Sequence, residues 1–229
     1  MGLPLRKEES VKKPPYKRYH IERPRNHLEK HEVYKMIEGA KTTNSWRHKK
    51  RGNYTKSGYK TLRNQLMLLV GFQHGMRNSE LRLLRWDHVD LDSNRLSVKR
   101  LKNGLSGIHP LWGNEEGGKN GKRLYNEIAL FNKLKAESEK MGIISPYVFV
   151  NSNGKPMTRD AFYKIMRTLG EEAGTSFPPT PHMLRTGAGA DAVNKGIDIR
   201  RIQDYLGHKD IRNTVIYTQL NANKFNGFH

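Results

Sequence analysis

Four short stretches of this 229-residue chain carry side chains capable of chemistry at the edges of helices or turns. "HGMRNSEL" holds Arg77 in a turn that leads into a helix. "RLKNG" puts Lys102 next to a turn signal. "HMLR" sets His182 and Arg185 three residues apart, so that both point from one helical face. "LGH" places His208 just after a helix end, and Tyr217 follows nine residues later between Ile216 and Thr218. Taken singly these are ordinary features: an arginine at a helix start decorates a surface, and a tyrosine in a terminal helix fills a core. Taken together they are what attack on a phosphodiester needs. Two guanidinium forks can bind non-bridging oxygens bidentately and offset charge that develops in the transition state. A tyrosine hydroxyl can form a covalent phosphoprotein. An imidazole can relay its proton and an ammonium can protonate the leaving oxygen. Such a site needs no metal where the protein supplies the positive charge.

These residues must be positioned by a mainly helical α+β domain with a small antiparallel sheet. In "HLEKHEVYKMIEGA", Leu28, Val33 and Ile37 share a helical face. The polar, basic residues 41–60 predict a long loop. "TLRNQLMLLVGFQHG" predicts a buried helix ending at Gly75, a left-handed cap. Ser79 is expected to cap the next helix, with Leu81, Leu84 and Trp86 following. Leu96, Val98 and Arg100 then alternate with polar neighbours, and Asn103-Gly104 is a turn signal, so this region predicts a hairpin or small sheet. Helices are expected around 123–140 and 158–169, with "YVFV" between them as a strand. Thr180 and Pro181 open another helix that ends at Gly196. A last one runs from the capping Asp198 to Gly207.

Lysines and arginines number 42 against 22 aspartates and glutamates, a formal charge of +20. Such a surplus repels itself unless an anionic partner neutralises it, and nucleic acid is the commonest one. Residues 1–60 hold more than half of the excess, with 17 basic and six acidic side chains. Residues 1–26 combine charge, proline and glycine with little apolar periodicity, and predict a mobile basic arm ahead of one domain over 27–229. No apolar run suffices to span a membrane and the start lacks a signal-peptide core, so a cytoplasmic, nucleoid-associated protein is expected. There is no cysteine, which removes disulfides and thiolate chemistry. "GNEEGGKN" (113–120) fails as a phosphate loop because Asn120 stands where a Ser or Thr must hold magnesium. The histidines show no metal-ligand spacing, and no cofactor is expected.

In the order "GMRNSEL", "LKNG", "HMLR", "LGH", "IYT", the chain resembles the tyrosine recombinases. "RLKNGLSGIHPL", "EEAGTSFPPTPHMLR" and "IQDYLGHKDIRNTVIYT" are similar to the versions found in the small fimbrial phase-variation recombinases, over roughly residues 27–229. The resemblance implies a catalytic domain alone, without a separate DNA-clamping domain. It assigns Arg77 and Arg185 to the scissile phosphate, Lys102 as general acid on the 5′ oxygen and His182 as general base. His208 becomes a further phosphate donor, and Tyr217 the nucleophile that keeps the 3′ phosphate. Thr186 departs from the pattern, standing where relatives usually have histidine. The expected activity is site-specific recombination of double-stranded DNA, inverting a segment between inverted repeats. A synaptic tetramer on two sites and accessory DNA-bending proteins are the implied partners. Integration or excision of a mobile element would use the same chemistry, as would a type IB topoisomerase. A non-catalytic DNA-binding regulator is the alternative from another class.

Overall fold

The computed structural model describes residues 25–49, 54–101, 104–113 and 125–220, and the side chains of these except 41–49, 54–57 and 219–220. Eight α-helices and three strands are among them. Helices α1 (Lys30–Lys49) and α2 (Tyr54–Gln73) pack as a pair, and α3 (Asn78–Arg82) follows a tight turn. Strands β1 (Val89–Asp90), β2 (Arg95–Val98) and β3 (Gly107–Pro110) make an antiparallel sheet in sequence order. In its register Leu96 lies opposite His109 and Val98 opposite Gly107. Helices α4 (Glu127–Lys140), α5 (Arg159–Ala173), α6 (Pro181–Asn194), α7 (Ile199–Leu206) and α8 (Arg212–Val215) complete the domain. A 3-10 turn, Ile216–Leu220, continues directly from α8 and carries Tyr217.

The main core joins α1, α2, α4, α5 and α6. Val33 and Ile37 are fully buried on one face of α1, and so is the run Leu66–Val70 in α2; Leu28, expected on the same helical face, precedes α1 and is buried there with its amide on the Met183 carbonyl. Phe131, Leu134, Phe162 and Met166 are equally buried from α4 and α5. A smaller cluster of Ile202, Leu206 and Tyr217 seals α7 and the terminal turn against the rest.

Four local expectations differ from the fold. Residues 41–60 are not a loop: α1 runs through them to Lys49 and α2 starts at Tyr54. Polar side chains favour a loop statistically, but they do not break a helix; of the usual breakers the stretch contains only Gly52, between the two helices, and Gly58. Ser79 lies inside α3 and not at its cap, which is Arg77, whose amide donates to the Glu80 carboxylate (2.9 Å). "YVFV" makes no continuous strand. It faces a loop, and only the isolated bridges Arg85–Tyr147 and Val150–Pro156 form. The connection between β2 and β3 spans residues 99–106, longer than the tight turn that Asn103-Gly104 suggests; Asn103 itself lies outside the described residues.

Candidate active site

The site is built around the turn that ends α2. Gly75 there adopts φ +53°, and a Cβ at this position would come within 2.4 Å of Leu206 Cδ2. An L side chain in that conformation costs ~1–2 kcal/mol before any clash. The turn delivers the Gly75 carbonyl to two guanidinium groups, Arg185 Nη1 at 2.6 Å and Arg100 Nη1 at 3.2 Å. The same two arginines reach the end of α7. Arg185 Nη2 donates to the Leu206 carbonyl (2.8 Å) and Arg100 Nη2 to the Tyr205 carbonyl (2.7 Å). Carbonyls in a final helical turn lack intrahelical partners and carry negative partial charge, so cations are stabilised there.

Arg77 is held from the other side. Its Nη1 donates to Glu80 Oε1 at 2.8 Å, while Arg100 Nη1 donates to Glu80 Oε2 at 3.0 Å and the Leu101 amide to Oε1 at 3.2 Å. Burial alone would raise the Glu80 carboxyl, but the hydrogen bonds from Arg77 and the charge of Arg100 outweigh it and hold it below the usual carboxylate range. Glu80 is therefore ionised. Three arginines around one carboxylate leave a surplus of positive charge, the electrostatic condition of an anion site.

Arg185 is 1% exposed. Burial, then its neighbours Arg100 and Arg77, lower its guanidinium to about 10, so it remains protonated near neutrality. His208 follows Gly207, the left-handed cap of α7 (φ +65°), and is buried. Its ring is parallel to that of Tyr217, 6.1 Å between centroids, and its Nδ1 lies 2.8 Å from the hydroxyl of fully buried Thr214. Desolvation, then Arg185, Arg77 and Arg100, depress His208 to about 4. It is neutral at physiological pH, and a Thr214 proton on Nδ1 leaves Nε2–H free to donate to an anion.

Tyr217 lies over Gly189 of α6, where a Cβ would approach three ring atoms within 2.6–2.8 Å. Burial raises its phenol, against the lowering influence of Arg185 and Arg77 and a hydrogen bond with Arg185. Tyr205, the other tyrosine nearby, donates its hydroxyl to the Gln73 carbonyl (2.7 Å) and stacks on His109. His182 sits exposed in the first turn of α6, lowered by partial desolvation and by the charges of Arg185 and Arg77. It is thus neutral and able to accept a proton.

Of the six residues singled out from sequence, Arg77, Arg185, His208 and Tyr217 converge, with His182 at the margin within electrostatic reach of both arginines. Lys102 lies outside the described residues. Its described neighbours border the site: the Leu105 amide donates to the Gly207 carbonyl (3.2 Å), and a Cβ on Gly104 would sit 3.3 Å from Arg77 Nη1. Glu80, Arg100 and Thr214 escape sequence reasoning. For Glu80 the signal was present, since a glutamate three residues after the cap residue is a capping box. The Arg100 guanidinium has only partners distant in sequence, and the Thr214–His208 pair forms only because the chain folds back after α7.

The phage integrase family model matches residues 26–224. The chain belongs to the phage integrase family. It is therefore a tyrosine-type site-specific DNA recombinase. Among relatives, the type 1 fimbriae regulatory protein FimB of Escherichia coli K12 is 37% identical over 204 residues, 89% of this chain and 88% of that protein. FimE of the same strain is 39% identical over 165 residues, covering 72% and 78%. The fold is shared with a XerH site-specific recombinase in a post-cleavage complex on its difH substrate, with a TM-score of 0.65 at 20% identity. That likeness covers 87% of this chain and about half (51%) of the XerH chain. Among the described residues no helix is long and apolar enough to cross a membrane, and no group of three His, Cys, Asp or Glu side chains is arranged to hold a metal ion.

Proposed function

We propose that this integrase-family enzyme cleaves and rejoins DNA through a 3′-phosphotyrosine on Tyr217 and inverts a segment between inverted repeats. The observation that carries the chemistry is that Arg77 and Arg185 act together on the Tyr217 hydroxyl and on His208, whose ring stacks beside that of Tyr217. Arg77 and Arg185 bind the non-bridging oxygens, and neutral His208 adds an uncharged donor. The Tyr217 oxygen attacks phosphorus while its proton passes to His182. The bond to the 5′ oxygen breaks, and Lys102 protonates that leaving group. The phosphotyrosine keeps the free energy of the broken bond, so a second 5′ hydroxyl reseals the strand without ATP. Inversion follows the likeness to FimB and FimE, which extends over most of both relatives.

Each inversion breaks four strands at two sites. Four copies of one tyrosine are therefore needed, which a synaptic tetramer supplies, with DNA-bending proteins as accessory partners. Residues 27–229 form the catalytic domain and 1–26 its arm.

The test uses a plasmid carrying, in inverted orientation, the repeats adjoining the gene, together with a nicked duplex of one repeat. Restriction mapping should show inversion, and the nicked duplex should trap a covalent adduct. Plasmid binding with neither adduct nor rearrangement would make the protein a regulator. Rearrangement only between direct repeats would make it an integrase or excisionase.

A further inference from the structure

Behind the arginines lies a buried polar layer that no step of cleavage uses. His74 and Glu127 are fully buried, and His109 is 5% exposed. His74 Nε2 stands 3.2 Å from either oxygen of Glu127, and its Nδ1 stands 3.2 Å from Nδ1 of His109. The His109 ring stacks on Tyr205 at 4.0 Å between centroids and hydrogen-bonds to the Tyr205 backbone. Burying three such groups is costly, and an apolar layer of the same shape would cost less.

We propose that Glu127, His74 and His109 are positioning residues for phosphodiester cleavage, a relay that fixes the Tyr205 carbonyl behind Arg100 and so sets the Arg77–Arg185 cradle. The inference rests on the cleavage reading given above. Its geometry is continuous. The Tyr205 carbonyl takes Arg100 Nη2 (2.7 Å), and the His74 carbonyl takes the same nitrogen (3.1 Å). Arg100 in turn holds Glu80, which holds Arg77, and shares the Gly75 carbonyl with Arg185. The relay thus ties the end of α2, strand β3, the start of α4 and the end of α7 to one arrangement of both guanidinium groups.

The proton positions follow from the partners. Desolvation, then the charges of His74 and Arg100, lowers His109 to about 3, so it is neutral and has one N–H. With Nδ1 facing His74, that N–H is on Nε2 and goes to the Tyr205 carbonyl. Bare Nδ1 must then accept from His74 Nδ1–H. Beyond His74, its Nε2 and the Trp112 amide both meet the Glu127 carboxyl, at 3.2 and 3.1 Å, which fixes the His74 ring from behind. Glu127→Leu takes that hold away and lets the ring turn from His109, whose own grip on the Tyr205 carbonyl then loosens.

Glu127→Leu should therefore slow single-turnover cleavage of the nicked repeat duplex at saturating protein by on the order of tenfold, the worth of one hydrogen bond. Affinity for that duplex should stay within about twofold, because the relay residues are buried. His109→Leu should behave like Glu127→Leu, whereas His109→Gln, whose amide both donates and accepts, should restore most of the rate. Nitrogen-15 NMR of the wild-type protein should show hydrogen on His74 Nδ1 and His109 as the Nε2–H tautomer, a readout that does not depend on any variant folding. A bare His74 Nδ1 in that spectrum overturns the relay. Equal cleavage by wild type, Glu127→Leu and His109→Leu overturns it also. Absence of adduct from wild type itself defeats the cleavage reading and the relay with it.

Discussion

At the scale of single residues, the site separates groups that would touch the phosphate from groups that hold them. Tyr217→Phe removes one oxygen and should abolish the covalent adduct while leaving affinity for the nicked duplex within about twofold, as expected for a group that acts only in the transition state. Tyr205 cannot substitute, because its hydroxyl is committed to the Gln73 carbonyl and its ring to His109. Adduct formation by Tyr217→Phe equal to wild type would place the nucleophile elsewhere. Thr214→Val keeps the shape of a fully buried side chain but removes the hydroxyl that fixes the His208 tautomer. Cleavage should fall about fivefold, since one hydrogen bond is worth ~1 kcal/mol, with the melting temperature changed by only a few degrees. Unchanged cleavage would mean that His208 sets its own tautomer. Arg77, Arg185, His182, His208 and Tyr217 were legible in the sequence because short motifs fix their spacing. Thr214 and Arg100 were not, because a threonine six residues after a histidine and an arginine at the end of a strand acquire meaning only when α7, α8 and the α2 turn are brought together.

At the scale of elements, the active site depends on where helices stop. Gly75 ends the α2 segment and Gly207 ends α7, both left-handed, and the sequence announced both by placing glycine after an apolar run. What it could not announce was that the freed carbonyls at those two ends share the same pair of arginines. Gly75→Ala should cost ~1–2 kcal/mol of stability from the backbone conformation alone, plus displacement of Leu206, and should depress cleavage more than the loss of folded protein explains. Chemical denaturation and single-turnover cleavage of the same sample separate the two. Stability equal to wild type would argue that the turn relaxes. The buried imidazoles add a pH dependence of known sign. His109 is lowered to about 3 and His208 to about 4, from 6.5, by burial first and by cationic neighbours second. Between about 6.5 and those values the unfolded chain binds protons that the folded one refuses, so stability rises with pH there. It is complete above about 6.5 and is lost as pH falls toward 4 and 3. Thermal melts across this window should decline on acidification, and His109→Gln should flatten the decline. A wild-type profile that is flat below pH 6.5 would contradict the burial of both rings.

At the scale of the whole molecule, the question is what the basic N-terminal stretch adds to duplex binding. The excess of basic side chains is concentrated before residue 60, and its first part, residues 1–24, lies outside the described residues. Arg25, where the described chain begins, is already tied down: it pairs with Glu32 at 2.5 Å and Glu29 at 3.2 Å, and stacks over Phe177. A deletion that respects the fold should therefore stop at residue 24. Residues 2–24 carry Arg6, Lys7, Lys12, Lys13, Lys17, Arg18 and Arg23 against Glu8, Glu9 and Glu22. If these cations track the phosphate backbone, each contact releases condensed counterions, and log affinity falls with log salt by about 0.9 per phosphate neutralised. Removing the segment should weaken binding to the repeat duplex and to random duplex alike, and should flatten the salt slope by roughly 2 to 5 units. Preference for the repeat should survive, because phosphate contacts position a protein on DNA and base contacts specify the sequence. Titrations of both duplexes at several salt concentrations measure slope and preference together. An unchanged slope would leave the arm without a part in binding, and a loss confined to the repeat would mean that it reads a groove.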